Sequence, residues 1–156
     1  MSAQSIAIER TDPQRPEVLA LIAELDRLMG ALYAAEESFL VAPADLAGPG
    51  AHFFAASVDG RLCGCAGLLE RAGGYGEVKR VFVSPAARGC GLGRRLLEAL
   101  QDCARARDLA WLRLETGDAQ PDALALFEAF GFRRCGRFGD YPEEAPRSVF
   151  MEKRLG

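Results

Sequence analysis

The chain has 156 residues, 49% of them hydrophobic, which predicts a single ordered domain over residues 1–156 with a core of its own. A formal net charge of −3 argues against nucleic-acid binding, which requires a basic face. The sequence contains neither an apolar run near the ~20 residues of a membrane helix nor a basic-then-apolar N-terminus, so we expect a cytoplasmic protein without a membrane partner.

The histidine and cysteine content excludes two further kinds of site. His52 is the only histidine, so a multi-histidine metal site cannot form, and we expect no metal. The cysteines lack zinc or redox spacing, and all of them except Cys90, which lies at a helix start where a thiol pKa tends to fall, are expected to be buried thiols in a reducing compartment. They lie at positions 63, 65, 90, 103 and 135.

Apolar spacing in the first half of the chain predicts one helix among strands. Alternation predicts a strand over 5–10, and apolar residues at helical spacing predict a helix over 16–32. Two further strands are predicted over 52–58 and 61–69. They are joined by Asp59-Gly60, a pair that is typical of a two-residue hairpin.

The next predicted strand, over 75–83, breaks its own alternation around Lys79-Arg80. The break indicates either a β-bulge, which leaves a backbone group unpaired, or a strand that is buried on both faces. Periodicity and turn signals then predict four more elements and a final strand, in the overall order β-α-β-β-β-α-β-α-β-β. These are a helix over 89–107, a strand over 111–116, a helix over 121–130, and strands over 132–137 and 148–154.

A glycine-rich loop joins the strand over 75–83 to the following helix. Gly89, Gly91 and Gly93 alternate along it, and glycine lets backbone N–H groups approach a ligand because it has no Cβ. Amides at a helix start carry partial positive charge and form an anion site, typically for phosphate. Arg88 and Arg94 add full charges that suit phosphate geometry. The loop therefore predicts a pyrophosphate site.

The order of residues separates this loop from two common phosphate loops. No lysine follows the glycines, as a P-loop requires, and Arg94 stands where the dinucleotide fingerprint needs a third glycine. The pattern Arg-x-x-Gly-x-Gly, with Arg88, Gly91 and Gly93, resembles the coenzyme A loop of the GNAT superfamily of N-acetyltransferases. Residues 120–132 are similar to the second signature of that family, Asn/Gln-x-x-Ala-x-x-Leu-Tyr-x-x-x-Gly-Phe.

Three shorter segments are similar to a subgroup of small bacterial members: Leu-Glu-Thr-Gly at 114–117, Phe-Gly-Asp-Tyr at 138–141 and Ser-Val-Phe-Met at 148–151. The resemblance implies an α/β GNAT fold, in which a mixed, mostly antiparallel sheet splays between its two central strands and is flanked by helices. It also implies direct transfer of an acetyl group from acetyl-CoA, as co-substrate, to the amine of a small molecule.

The resemblance further implies a path for acetyl-CoA. The pantetheine arm would pair with the strand backbone at Val81, Phe82 and Val83. Gln120, at the family's asparagine position, either hydrogen-bonds the pantetheine or phosphate arm or caps the helix after it. The loop and the helix start would supply the pyrophosphate contacts Arg88, Gly89, Cys90, Gly91, Leu92, Gly93 and Arg94.

Two positions bear on catalysis. Glu77 lies six residues before Val83, where GNAT histone acetyltransferases hold a general-base glutamate. A base matters because an alkyl amine, with a pKa near 10.4, is almost fully protonated at pH 7. The alternative for Glu77 is a carboxylate paired with Lys79 or Arg80.

Phe127, which we also expect to contact the coenzyme, stands where many GNAT enzymes place a tyrosine that protonates the leaving thiolate. Phenylalanine has no proton to give, although a thiol with pKa near 8.5 is a tolerable leaving group unaided. We therefore expect an enzyme. The alternative is a catalytically weak module that binds or senses acyl-CoA.

The predicted acceptor contacts lie in two loops and one strand. Glu37 and Ser38 follow the first helix, where family members often shape the acceptor pocket, and Asp140 and Tyr141 lie between the last two strands. Arg80 either binds a substrate carboxylate or is a solvated strand charge. The sequence identifies no particular amine and leaves a homodimer open.

Overall fold

The computed structural model describes residues 4–156, so residues 1–3 of the predicted domain lie outside the described part of the chain. Within 4–156, strands and α-helices follow the predicted order, and no helix is long and apolar enough to cross a bilayer. The elements are β1 (Ile6–Arg10), α1 (Pro16–Leu32), β2 (Ala51–Val58), β3 (Arg61–Arg71), β4 (Tyr75–Val83), α2 (Leu92–Ala106), β5 (Trp111–Gly117), α3 (Pro121–Phe130), β6 (Arg133–Arg134) and β7 (Ser148–Arg154).

Two predicted boundaries are wrong. α2 begins at Leu92 and not at residue 89, because Gly89 and Gly91 have φ values of +89° and +80°, outside the right-handed helix. β6 covers two residues and not 132–137. Phe132 is buried in the core before the strand begins, and the chain leaves the sheet after the Cys135 N–H donates to the Phe150 carbonyl.

The sheet is mixed and opens in the middle. Its strand order is β1-β2-β3-β4-β5-β7-β6, and every neighbouring pair is antiparallel except β4 and β5. The parallel pairing joins Tyr75–Val78 to Trp111–Leu114 and stops there, while both strands continue. The expected splay between the two central strands is confirmed.

The break in alternation at Lys79-Arg80 is a β-bulge. Gly67 pairs with Lys79 and Cys65 with Phe82, so that two residues of β4 lie opposite one of β3. Arg80 takes a positive φ of +59° at this point. β4 is also buried on both faces up to Arg80. The strand therefore has both of the features offered as explanations of the break: a bulge, and burial on both faces.

Apolar residues pack on both faces of the sheet. On one face, Leu96, Leu97 and Leu100 of α2 are fully buried against the central strands, at the spacing of an amphipathic helix. On the other face, α1 packs through residues such as Val18 and Ile22. α1 and α2 thereby cover opposite faces of the part of the sheet that ends at β4, next to the opening between β4 and β5.

Candidate active site

A cavity of about 670 Å³, hereafter the donor cavity, lies between α1, the end of β4 and the starts of α2 and α3. All of the residues predicted to bind the coenzyme line it except Cys90, whose thiol donates to the Ala87 carbonyl at 2.9 Å. The lining set is Val81, Phe82, Val83, Arg88, Gly89, Gly91, Leu92, Gly93, Arg94, Gln120 and Phe127.

The glycine loop presents its backbone to open space. A Cβ built at Gly89 or Gly91 would meet no atom within 4 Å, and Gly91 is the N-cap of α2. The Arg94 side chain is exposed and lies 3.3 Å from Glu98, and the Arg88 Nε donates to the Val83 carbonyl at 3.1 Å. Amides at a helix start beside exposed guanidinium groups suit a pyrophosphate.

Gly93 has a different reason to be glycine. A Cβ there would lie 2.7 Å from Cδ2 of Leu126 in α3. The missing side chain thus allows α2 to pack closely against α3, the helix that carries Phe127 into the cavity. Both the loop and this helix contact are needed to form the donor cavity.

The exposed edge of β4 continues the donor cavity. Beyond Val78, β4 has no strand partner on the β5 side, whereas Phe82 and Val83 remain paired with β3. An extended pantetheine arm fits such an edge because it can use backbone groups that a neighbouring strand would otherwise occupy.

A second, smaller cavity of about 100 Å³, hereafter the acceptor cavity, lies where β4 and β5 diverge. The end of α1, the loop over 37–41 and the two strands enclose it. Glu37 and Ser38 line it as predicted, together with Lys79, Arg80 and Glu115. Six residues line both cavities and form their junction: Leu25, Met29, Val81, Gln120, Ala123 and Phe127.

Glu115 on β5 is the carboxylate that the sequence analysis missed. It lines the acceptor cavity, and its Oε2 accepts a hydrogen bond from the Ser148 hydroxyl at 2.5 Å. Burial raises the pKa of Glu115, although Ser148 and Lys79 oppose the shift. The sequence did offer a signal for Glu115: it belongs to the Leu-Glu-Thr-Gly segment, which lies on the strand that splays from β4.

Glu77 lies in the wall behind the acceptor cavity and lines neither cavity. It is 4% exposed, Arg71 Nε donates to its Oε1 at 2.9 Å, and the Tyr141 hydroxyl donates to its Oε2 at 2.6 Å. Burial, and then the bond to Glu77, raise the pKa of Tyr141. The carboxylate is therefore ion-paired, as the alternative interpretation expected: Lys79 Nζ lies 3.7 Å from its Oε2, and the nearer cation is Arg71 and not Arg80.

Two buried cations of β4 hold the loop that closes the acceptor cavity. Lys79 Nζ donates to the Phe39 carbonyl and to the Tyr141 hydroxyl, each at 2.9 Å, and burial lowers the pKa of Lys79. Arg80 donates to the Val41 carbonyl at 2.6 and 3.0 Å and is paired with Asp26. Arg80 is thus neither solvated nor open to a substrate carboxylate in this geometry.

The remaining predicted contacts divide between the two regions. Asp140 is exposed and lines neither cavity, and Tyr141 contacts the site through Lys79, Glu77 and the ring of Phe39. Gln120 occupies the N-cap position of α3 without a capping bond from its side chain. That side chain instead accepts from the hydroxyl of Tyr33, a residue that the sequence analysis did not identify.

A long donor cavity that meets a small acceptor cavity at an opened sheet defines an acyl-transfer enzyme. Residues 18–132 match the profile of the Acetyltransferase (GNAT) family. An IAA acetyltransferase from Azospirillum brasilense is 46% identical over 152 residues, covering 97% of this chain and 99% of that protein. The chain belongs to the GNAT acetyltransferase family, and it is an acetyl-CoA-dependent N-acetyltransferase.

Solved structures confirm the fold. A protein from Klebsiella pneumoniae that is provisionally named an acyl-CoA N-acyltransferase aligns with a TM-score of 0.81 at 37% identity, covering 97% of this chain and 98% of that one. An aminoglycoside 6'-N-acetyltransferase complexed with coenzyme A has the same fold, with a TM-score of 0.74 at 18% identity and coverage of 96% and 97%.

Proposed function

We propose that this N-acetyltransferase acts on the amine of a small molecule, that the amine enters the acceptor cavity, and that Glu115 takes up the proton it must lose. The observation that carries the proposal is that the Glu115 carboxylate lines this cavity and has its pKa raised by burial. A raised pKa brings a carboxylate closer to the operating pH, where a general base is most effective.

The charges around the acceptor cavity favour a cationic ligand. The donors of Lys79 and Arg80 are directed to main-chain carbonyls and to neighbouring side chains. Glu37 accepts the Ala34 N–H on Oε1, and Glu115 accepts Ser148 on Oε2. Across residues 4–156 the second oxygen of each carboxylate has no hydrogen-bond partner. An approaching ammonium group would therefore meet unused carboxylate oxygens.

The small size of the acceptor cavity favours an acceptor whose amine lies at a narrow end of the molecule. Its volume of about 100 Å³ is much smaller than the 670 Å³ of the donor cavity. We expect it to take up the amine and the carbons next to it. The rest of the acceptor would extend past the loop over 37–41, which favours a primary amine on an unbranched carbon.

Glu77 stabilises the wall of the acceptor cavity and does not face the cavity itself. Its partners, Arg71 and Tyr141, occupy both of its oxygens, and Tyr141 in turn accepts from Lys79. Glu77 thus stabilises the buried lysine that holds the loop. Removing its charge would disturb the wall of the cavity, whereas removing the charge of Glu115 would remove the proton acceptor itself.

The donor cavity supplies the other half of the reaction. Acetyl-CoA, when bound, supplies an acetyl group activated as a thioester. The free edge of β4 at Val81 and Val83 would hold the pantetheine arm, and the amides around Gly91 with Arg88 and Arg94 would hold the pyrophosphate. The reactive end would lie at the junction, next to Gln120 and Phe127.

Release of free thiol from acetyl-CoA across a panel of small primary amines tests this proposal. We expect turnover by the wild type and a loss of kcat of about 100-fold or more in Glu115→Gln, within the range of positioned proton transfer. The deficit should shrink toward pH 9–10, where free amine becomes abundant. The calorimetric Kd for acetyl-CoA should not change.

Glu77→Gln is the matched control, since it makes the same chemical change in a carboxylate that lines neither cavity. We expect a smaller loss of kcat that does not depend on pH. A pH-dependent loss in Glu77→Gln alone would make Glu77 the base and refute the role of Glu115. Wild-type enzyme that released no thiol with any amine of the panel would refute the small-molecule acceptor.

A further inference from the structure

The junction of the two cavities is poor in hydrogen-bond donors. A thioester in the donor cavity must reach this junction to meet an amine in the acceptor cavity. Of the junction residues described within 4–156, Gln120 alone has a polar side chain. Phe127 is 5% exposed and packs edge to face against Phe132, with no proton to offer. Among the junction side chains, Gln120 is therefore the one that can donate a hydrogen bond to the departing sulfur.

Tyr33 determines which way the Gln120 amide faces. The backbone N–H of Ala119 donates to the Tyr33 hydroxyl oxygen at 3.0 Å, and the hydroxyl donates to Gln120 Oε1 at 3.2 Å. Because the N–H can only donate, the hydroxyl proton is left to point at an acceptor, which the amide oxygen provides. Gln120 Nε2 then faces away from Tyr33, and no group within residues 4–156 accepts its protons.

Gly117 allows this contact. A Cβ at Gly117 would lie 1.8 Å from the Tyr33 hydroxyl oxygen, so the ring can rest on β5 only where the side chain is absent. Tyr33 is 8% exposed, and Arg147 lies over its ring at 5.2 Å. Burial raises the pKa of Tyr33, which keeps the hydroxyl protonated and able to donate.

We propose that the Gln120 amide N–H donates to the thioester sulfur and that Tyr33 is the positioning residue that turns it there, in place of the hydroxyl that Phe127 lacks. The amine nitrogen bonds to the acetyl carbon as the carbon–sulfur bond breaks, and the sulfur keeps the electron pair. Glu115 has by then taken the first proton of the ammonium group, the second proton on the nitrogen leaves to solvent as the amide forms, and the departing thiolate takes a proton from solvent. This inference rests on the acetyl transfer to an amine proposed above.

Tyr33→Phe tests the positioning role because it removes the hydroxyl proton and keeps the ring over Gly117. We expect kcat to fall by about tenfold, the effect of one hydrogen bond to a charged group, with little change in KM for acetyl-CoA. Tyr75→Phe is the matched control, since Tyr75 is 7% exposed and lines neither cavity. Adding Phe127→Tyr to Tyr33→Phe should restore most of the lost kcat by returning a hydroxyl to the junction.

Binding provides a readout that does not depend on turnover. Calorimetry at about pH 9 compares coenzyme A with its analogue that lacks the sulfur atom. The wild type should prefer coenzyme A by several-fold, and the preference should disappear in Tyr33→Phe and in Gln120→Leu while both variants keep the melting temperature of a folded protein. An unchanged preference together with an unchanged kcat in folded Tyr33→Phe would overturn the inference. The wild type could acetylate no amine and still prefer coenzyme A, with that preference absent in Tyr33→Phe. This result would refute the proposed acceptor and support the Tyr33–Gln120 pair.

Discussion

The donor and acceptor cavities meet at six residues but are built from different chemical groups. The donor cavity depends on main-chain amides at glycines of positive φ, on a strand edge and on exposed arginines. The acceptor cavity depends on buried charges, each with a specified partner. Backbone groups can bind the same ligand whichever side chains surround them. Buried charges, in contrast, contribute both to the choice of acceptor and to the free energy of unfolding. Side-chain replacements should therefore act on binding in the first region and on folding as well in the second.

The largest expected effect is on stability, in Arg80→Met. The change leaves the Val41 carbonyl without its guanidinium partner and releases the loop over 37–41, at a cost of about 2 kcal/mol. Denaturant unfolding measures the loss, and acetyl-CoA affinity should stay the same. Asp26→Asn, which alters an exposed partner, should cost less. Unchanged stability with weaker binding of carboxylate-bearing acceptors would instead establish Arg80 as a substrate ligand, as the sequence alone suggested.

The next largest effect is on donor binding, in Gly91→Val. A β-branched side chain would enter the open space above the loop and would disfavour the φ of +80°, so acetyl-CoA should bind at least about tenfold more weakly. Calorimetric titration measures the change. Gly136→Val places the same side chain at an exposed loop position without a positive φ and should bind normally. Equal affinity in folded Gly91→Val would refute the pyrophosphate site.

A smaller effect is expected from pH on the stability of Glu115→Gln. The folded-state pKa of Glu115 is raised, so its charged form opposes folding once the pH exceeds the unfolded-state value near 4.3. Relative to wild type, the Tm of the variant should rise between pH 4 and pH 7. Thermal unfolding at the two pH values measures this difference. If the Tm difference between the variant and the wild type did not change with pH, burial would not raise the pKa of Glu115.

The smallest effect is expected in Phe127→Tyr, with Tyr33 intact. The thiolate leaves readily, and the Gln120 amide already faces the junction, so kcat should rise by less than about threefold. Steady-state kinetics with an accepted amine measure it. Turnover that appeared only in this variant would favour the acyl-CoA sensor over the enzyme.

The sequence was most informative where the site is contiguous along the chain. The loop over 88–94 could be predicted because three glycines, two arginines and a helix start lie within seven residues. The Asp59-Gly60 hairpin is likewise local, and both residues take the positive φ that such a turn requires. Within the loop over 88–94 the start of α2 was misplaced, since glycine spacing does not reveal where helical φ values begin.

The acceptor side could not be predicted in the same way because its contacts join distant segments. Glu77 and Glu115 both lie on central strands, and nothing local shows which of them the loop after α1 will cover. Glu77 was favoured by its distance from Val83, but its partner Tyr141 is 64 residues away. The Tyr33 contact with Gln120 spans 87 residues and depends on a glycine in a third segment.

The loop anchors also bear on how such an enzyme can change its substrate. Lys79 and Arg80 hold the loop by donating hydrogen bonds to the main-chain carbonyl oxygens of Phe39 and Val41. Every amino acid provides such an oxygen. Side chains at 37–40 can therefore be exchanged while the anchors remain the same. The loop is thus a segment whose side chains can change while its backbone anchors stay in place, and a randomised library at these four positions is the direct route to new acceptors.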